Sequence, residues 1–158
     1  MCRGGFETRP YRQFGLDGSL DTDRKIKGIV FSDLGEASSF MRLDWVQQAL
    51  KNRLGFVPFP ATLNVRPKAS EDLQGWQALR KENGISLPPK DRDHCAARLF
   101  PVEIRSPLPG PHQTIKSAVL LPEVTGYPED KIEIVANVRL KDELGIKDGD
   151  QLTLEFLN

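Results

Sequence analysis

Thr62 and Asn64 are the residues whose types and spacing most directly suggest chemistry. They sit in "FVPFPATLNVRP", residues 56–67, where two prolines lead into a β-type run. Successive strand side chains point to opposite faces, so Thr62 and Asn64 share one face while Leu63 and Val65 take the other. Both supply neutral oxygens. Mg2+ prefers oxygen ligands, keeps several waters and usually shares its shell with substrate phosphates. On a regular strand the two Cα atoms stand about 6.7 Å apart, so the side chains must lean together to share one ion. The same pattern also describes a polar strand face that holds no ion.

Other residues offer chemistry with a structural reading beside it. "SDLGEASSF" is a strand-to-loop junction around Gly35, and backbone N–H groups in such loops can cradle phosphate. It also reads as a plain turn, and Asp33 and Glu36 oppose an anion. Glu133 lies between Ile132 and Ile134 and faces away from them, as a ligand-binding carboxylate or a solvated strand residue. Thr125, in "PEVTGYPED", anchors a ligand or stabilises a turn. Arg139 and Lys141 meet phosphates or are surface charges. His94 and His112 have no Cys, Ser or Asp partner at a spacing that makes a triad or a zinc site. Neither GxxxxGK[ST] nor GxGxxG occurs, so a nucleotide here is held by neither a P-loop nor a Rossmann turn.

The elements that must position these residues come from a chain of 158 residues, enough for one domain with its own core. Lys+Arg and Asp+Glu both number 22, which disfavours a strongly basic nucleic-acid surface. Cys2 and Cys95 make neither a disulfide framework nor a CxxC metal site, which favours a reducing, cytoplasmic setting. The apolar runs are too short for a transmembrane helix. The first 24 residues carry no continuous apolar stretch, so they are not a secretory signal, and they read as a loosely ordered arm.

From residue 25 onward the alternation is mostly β. "KIKGIVFS", "TLNVR", "AARLFPVEIR", "TIKSAVLL", "KIEIVANV" and "QLTLEF" read as six strands separated by Pro-, Gly- and Asp-rich turns. Residues 42–54 show helical spacing, with Gly55 as a stop. "SEDLQGWQALRKEN" reads as a second helix with Ser70 as N-cap. "DLGEASS" and "GISLPPKDRD" read as loops, and "LKDELGIKDGD" as a short helical turn. This pattern predicts a mainly β, single-domain, six-stranded barrel over residues 25–158, with one or two attached helices and the 42–54 helix outside.

Together, "GIVFSDLGEASSFMRL", "LGFVPFPATLNV", "AVLLPEVTGYPEDKIEIVA" and "VRLKDELGIKDGD" resemble the archaeal-type CTP-dependent riboflavin kinases, collinearly over about residues 25–156. "LGFxPFxxTLN" is the most specific of these motifs. The resemblance implies a cradle-loop β-barrel that phosphorylates riboflavin to FMN, with CTP as the usual donor and CDP as the other product. It places Mg2+ on Thr62 and Asn64, flavin contacts on Thr125 and Glu133, and a nucleotide loop on Ser32–Ala37 (Asp33, Leu34, Gly35, Glu36 and Ala37 within it). A second nucleotide segment falls on Val138, Arg139, Leu140 and Lys141. No general base is identified, Glu36 being a candidate by its place in the loop.

The sequence departs from the family pattern at Asp33 and Ala37, where the loop otherwise has glycine, and at Ala61. An unpaired carboxylate about 5 Å from a phosphate charge costs about 3 kcal/mol at an effective dielectric near 20. Asp33 must therefore point away, be offset by Arg139, Lys141 or the metal, or weaken the nucleotide. Two other functions stay open. "VRLKDELGIKDGDQLTLEF" also resembles the AbrB-type transition regulators, which bind DNA. The Asp33 and Ala37 departures fit a non-catalytic flavin- or nucleotide-binding domain.

Overall fold

The computed structural model describes residues 24–33, 36–105 and 114–157, with the backbone alone at 36–38 and 114. Residues 1–23, read from the sequence as most of an N-terminal arm, and His112 lie outside the described residues. The elements run β1 (Lys25–Phe31), α1 (Glu36–Met41), α2 (Asp44–Leu54), β2 (Leu63–Pro67), α3 (Ser70–Leu79), β3 (Ile85–Leu87), β4 (Ala97–Arg105), β5 (Thr114–Pro122), β6 (Ile132–Ala136), α4 (Leu140–Leu144) and β7 (Gln151–Phe156).

The sheet order is β3-β4-β5-β6-β2-β1-β7, and β4 also pairs with β7. That last pairing closes six strands into a barrel, all neighbours antiparallel, with β3 appended to β4. Closure follows from the alternation along each strand. Ile26 and Val30, Leu63 and Val65, Val102 and Ile104, Ile132 and Ile134, and Leu152 and Leu154 all point into one buried cluster. Gly28 is part of the same inward row. A Cβ there would stand 3.2 Å from the Val65 Cβ, so the smallest residue lets β1 and β2 approach at the inside of the curve.

α3 closes the barrel interior on one side, with Trp76 and Leu79 joining the cluster. Trp76 stacks on Phe156 and meets Phe100 edge-on. The buried Asp72 fastens this helix. Its Oδ2 accepts from the Ala69 N–H (3.1 Å) and its Oδ1 from the Lys27 N–H of β1 (2.9 Å). The helix therefore starts one residue earlier than expected: Ala69 is the N-cap, Ser70 is already helical, and Asp72 does the capping.

A second apolar cluster lies on the outer face. Val46 and Leu50 of α2 and Met41 of α1 cover Leu99, Ala118, Leu120 and Val135. α2 thus packs outside the barrel as its sequence predicts, and it ends at Gly55 in the left-handed conformation (φ 85°), whose N–H bonds the Lys51 carbonyl. Further sequence readings need correction. The "EASS" of "DLGEASS" falls in α1 rather than a loop, "ISL" forms β3 rather than a loop, and among the described residues four helices attach to the barrel rather than one or two. Cys95 is disulfide-bonded, contrary to the reading of reduced cysteines.

Candidate active site

β1, β2 and β6 lie side by side, and their register brings three outward residues into one row: Phe31 opposite Asn64, and Asn64 opposite Glu133. Their sequence neighbours Val30, Leu63, Val65, Ile132 and Ile134 fill the barrel, so this row must face the other way. The helical layer of α1 and α2 covers the outer face from Leu120 and Val135 onward. Beside it a cleft of about 240 Å³ remains. Its lining includes Asp33, Thr62, Asn64, Lys131, Glu133 and Val138–Lys141.

The proline-rich approach to β2 is held in place by backbone bonds. The Phe59 N–H bonds the Ala136 carbonyl at the end of β6 (2.7 Å), and the Ala61 N–H bonds the Phe59 carbonyl (2.7 Å). Thr62 and Asn64 are thereby held on the cleft side, as their spacing suggests. Asn64 Oδ1 is buried and has no hydrogen-bond partner among the described residues. A buried, unsatisfied amide oxygen is costly unless something else meets it. This oxygen, with the Thr62 hydroxyl beside Glu133, suits a hard cation. No group of three His, Cys, Asp or Glu side chains able to hold a metal occurs among the described residues. The oxygens that Thr62 and Asn64 offer here are neutral, with the Glu133 carboxylate beside Thr62, a set that fits a Mg2+ completed by waters and phosphates.

Glu133 is only 5% exposed, so solvated strand placement does not describe it. Its Oε2 accepts a 2.5 Å hydrogen bond from the Tyr127 hydroxyl, and its Oε1 is 3.5 Å from the Thr62 hydroxyl. Burial, then the Glu133 carboxylate, push the Tyr127 phenol far above its ordinary range, so Tyr127 stays a neutral donor. Thr125 is different. It is exposed in the turn that the Tyr127 N–H closes onto the Val124 carbonyl, and it is not among the cleft-lining residues. The turn reading accounts for it as it stands.

The nucleotide candidates divide in the same way. Val138, Arg139, Leu140 and Lys141 all border the cleft, although Leu140 is also a core side chain. Arg139 bonds Asp142 (2.7 Å). Lys141 Nζ donates to Asp148 (2.9 Å) and to the Ser32 hydroxyl (3.3 Å), while Ser32 donates to Asp148 (2.6 Å). The Ser32 hydroxyl, then Lys141, hold the Asp148 carboxyl below its ordinary range. Leu34 and Gly35 lie outside the described residues, and so do the side chains of Glu36 and Ala37.

Asp33 is offset, but by neither Arg139 nor Lys141. Its Oδ2 is 2.6 Å from Lys131 Nζ, which also sits 5.7 Å from the Tyr127 ring centre. Sequence reasoning missed Lys131 and Tyr127, and it placed Ser32 in the nucleotide loop without its link to Lys141 and Asp148. The parity of the strand held one usable signal, since Lys131 stands two residues before Glu133 and therefore on its side. Nothing in the chain order signals that position 131 meets position 33.

Residues 30–156 match the family model of the CTP-dependent riboflavin kinase domain, described as "Domain of unknown function DUF120". The chain belongs to this family. A riboflavin kinase of Archaeoglobus fulgidus is 34% identical over 137 residues, covering 84% of this chain and 54% of that protein. The riboflavin kinase of Saccharolobus solfataricus is 32% identical, covering 83% of this chain and 73% of that protein. That of Aeropyrum pernix is 36% identical, covering 84% of this chain and 95% of that protein. Against the Archaeoglobus protein and that of Pyrobaculum arsenaticum, the chain spans between half and three fifths of the relative's length. The matched residues include every residue that lines the cleft, from Phe31 at the end of β1 to Lys141 in α4. The segment that also resembled a DNA-binding regulator forms α4 and β7 of this barrel, and its residues 138–141 line the cleft.

Proposed function

We propose that this chain transfers a phosphoryl group from a nucleoside triphosphate, CTP, to riboflavin, giving FMN and CDP, with Mg2+ in the cleft and in a cytoplasmic setting. The observation that carries the reading is convergence. Thr62 and Asn64, Glu133, and the 138–141 segment come from β2, β6 and the entry to α4, yet they line one cleft. The family name supports CTP as donor. Neutral charge, with 22 residues of each sign, supports small-molecule substrates over nucleic acid. No helix among the described residues is long and apolar enough to cross a membrane. The Cys95 disulfide is the one feature unusual for a reducing compartment.

Phosphoryl transfer needs little covalent chemistry from the protein; positioning and charge neutralisation supply most of the rate. Thr62 and Asn64 would hold a Mg2+ through oxygen, and that ion would supply charge neutralisation at the donor phosphates. The backbone after β1 and residues Val138–Lys141 hold the donor. Glu133, fixed by Tyr127, accepts a hydrogen bond from a riboflavin hydroxyl or imide, and Thr125 joins the flavin contacts only if its turn closes over the cleft. Incubating the protein with riboflavin, Mg2+ and each of the four nucleoside triphosphates tests the reading. FMN should form fastest with CTP. No FMN with any donor, with riboflavin still bound, would favour a non-catalytic flavin-binding domain.

A further inference from the structure

Resting on that kinase reading, we infer that Lys131 is a phosphate-binding residue of the cleft, and that Asp33 holds its ammonium in place when no phosphate is bound. Three observations carry this. Lys131 Nζ lies 2.6 Å from Asp33 Oδ2, and Asp33 is the second residue after β1, at the start of the loop that would carry the donor phosphates. The ammonium therefore already stands where phosphate would arrive. Lys131 immediately precedes β6, Glu133 is the second residue of that strand, and both line the cleft, so the cation stands in the cleft wall between Glu133 and Asp33. Finally, the pair is partly sheltered, the Lys131 side chain being 20% exposed and Asp33 35%. A sheltered cation meets an incoming phosphate with less screening than an open surface charge.

The other two cations of the lining are engaged differently. Arg139 pairs with Asp142, and Lys141 with Asp148 and Ser32. The Asp142 and Asp148 contacts tie α4 and its following turn together, and the Ser32 contact joins them to the end of β1. The Lys131–Asp33 contact reaches the same end of β1 from the residue before β6. A phosphate dianion competes with one carboxylate for a lysine on equal or better terms, because it carries more charge and more acceptor oxygens. The Lys131 ammonium has three N–H donors, so it can meet phosphate while still beside Asp33. A carboxylate at position 33 then does not face the phosphate as an unpaired charge.

The transferred phosphoryl group ends on FMN, so FMN and riboflavin differ by the group that Lys131 is inferred to bind. The test measures binding of riboflavin, FMN and Mg2+–CTP to four proteins: wild type, Lys131→Met, Asp33→Asn and the double variant. Methionine keeps most of the lysine stem, and an unchanged riboflavin affinity reports an intact cleft. Lys131→Met should weaken FMN and CTP by about ten- to a hundredfold and leave riboflavin unchanged. The same loss should recur in the Asp33→Asn background. If Lys131→Met has no effect there, Lys131 serves only to neutralise Asp33, and the inference fails. Equal weakening of riboflavin and FMN would overturn it too, since the loss would not be specific to phosphate. If wild type binds CTP and FMN and Lys131→Met matches it, the inference falls while the kinase reading stands. If wild type binds no triphosphate and makes no FMN, both fall together.

Discussion

Asn64 carries a folding cost at a single atom. Its Oδ1 is buried without a hydrogen-bond partner among the described residues, which lowers stability unless a ligand meets it. Asn64→Leu should abolish Mg2+-dependent FMN formation while leaving the melting temperature unchanged or higher, measured by turnover and thermal circular dichroism together. Thr62→Val should also abolish turnover with the fold intact, because it removes the second oxygen. Unchanged turnover in both variants would mean that these residues only shape the strand. Tyr127 acts through Glu133. Tyr127→Phe removes the 2.5 Å hydrogen bond, and hydrogen bonds to charged groups contribute about 1.5–3 kcal/mol. The riboflavin KM should rise about tenfold or more, with a smaller change in kcat. An unaltered KM in steady-state kinetics would remove Tyr127 from the site. At this scale the shared face of Thr62 and Asn64, and the side on which Glu133 stands, were legible from strand parity. The Asp33–Lys131 pair was not, because it joins positions almost a hundred residues apart through the fold alone.

Between elements, short polar contacts set how the strands and helices meet. Asp72 caps α3 and accepts the β1 N–H of Lys27. Asp72→Ala would orphan both donors and should lower unfolding free energy by about 2–4 kcal/mol, read from urea denaturation. A change within about 0.5 kcal/mol would show that water replaces both bonds. Ser32, Lys141 and Asp148 join the end of β1 to α4 and its following turn. Asp148 has a depressed carboxyl pKa, so whatever the link contributes is present above the ordinary value of 3.8 and is lost as pH falls through the lower folded value. Ser32→Ala should move the Asp148 midpoint upward in a carboxyl-detected NMR titration. The six barrel strands and α2 were legible because their periods of two and of about 3.6 persist over several residues. β3 was not, since "ISL" has three residues and runs directly into "PP". α1 was not, since six residues around two serines hold too little pattern to separate a helix from a loop.

Across the whole molecule, the first and last strands of the barrel are hydrogen-bonded neighbours. Lys25 pairs with Glu155, and β7 also carries the closing contact to β4. Every route to a closed barrel therefore waits on Gln151–Phe156, and the cleft's wall at β1 has no second neighbour until that strand arrives. The consequence is one of time. On the ribosome, β1 stays unpaired on one side until almost the entire domain has emerged, and contacts this distant in sequence slow the search for the native state. Stopped-flow refolding from urea should show a main phase of milliseconds to seconds rather than microseconds. Leu154→Ala should accelerate unfolding more than it slows folding if closure by β7 comes after the transition state.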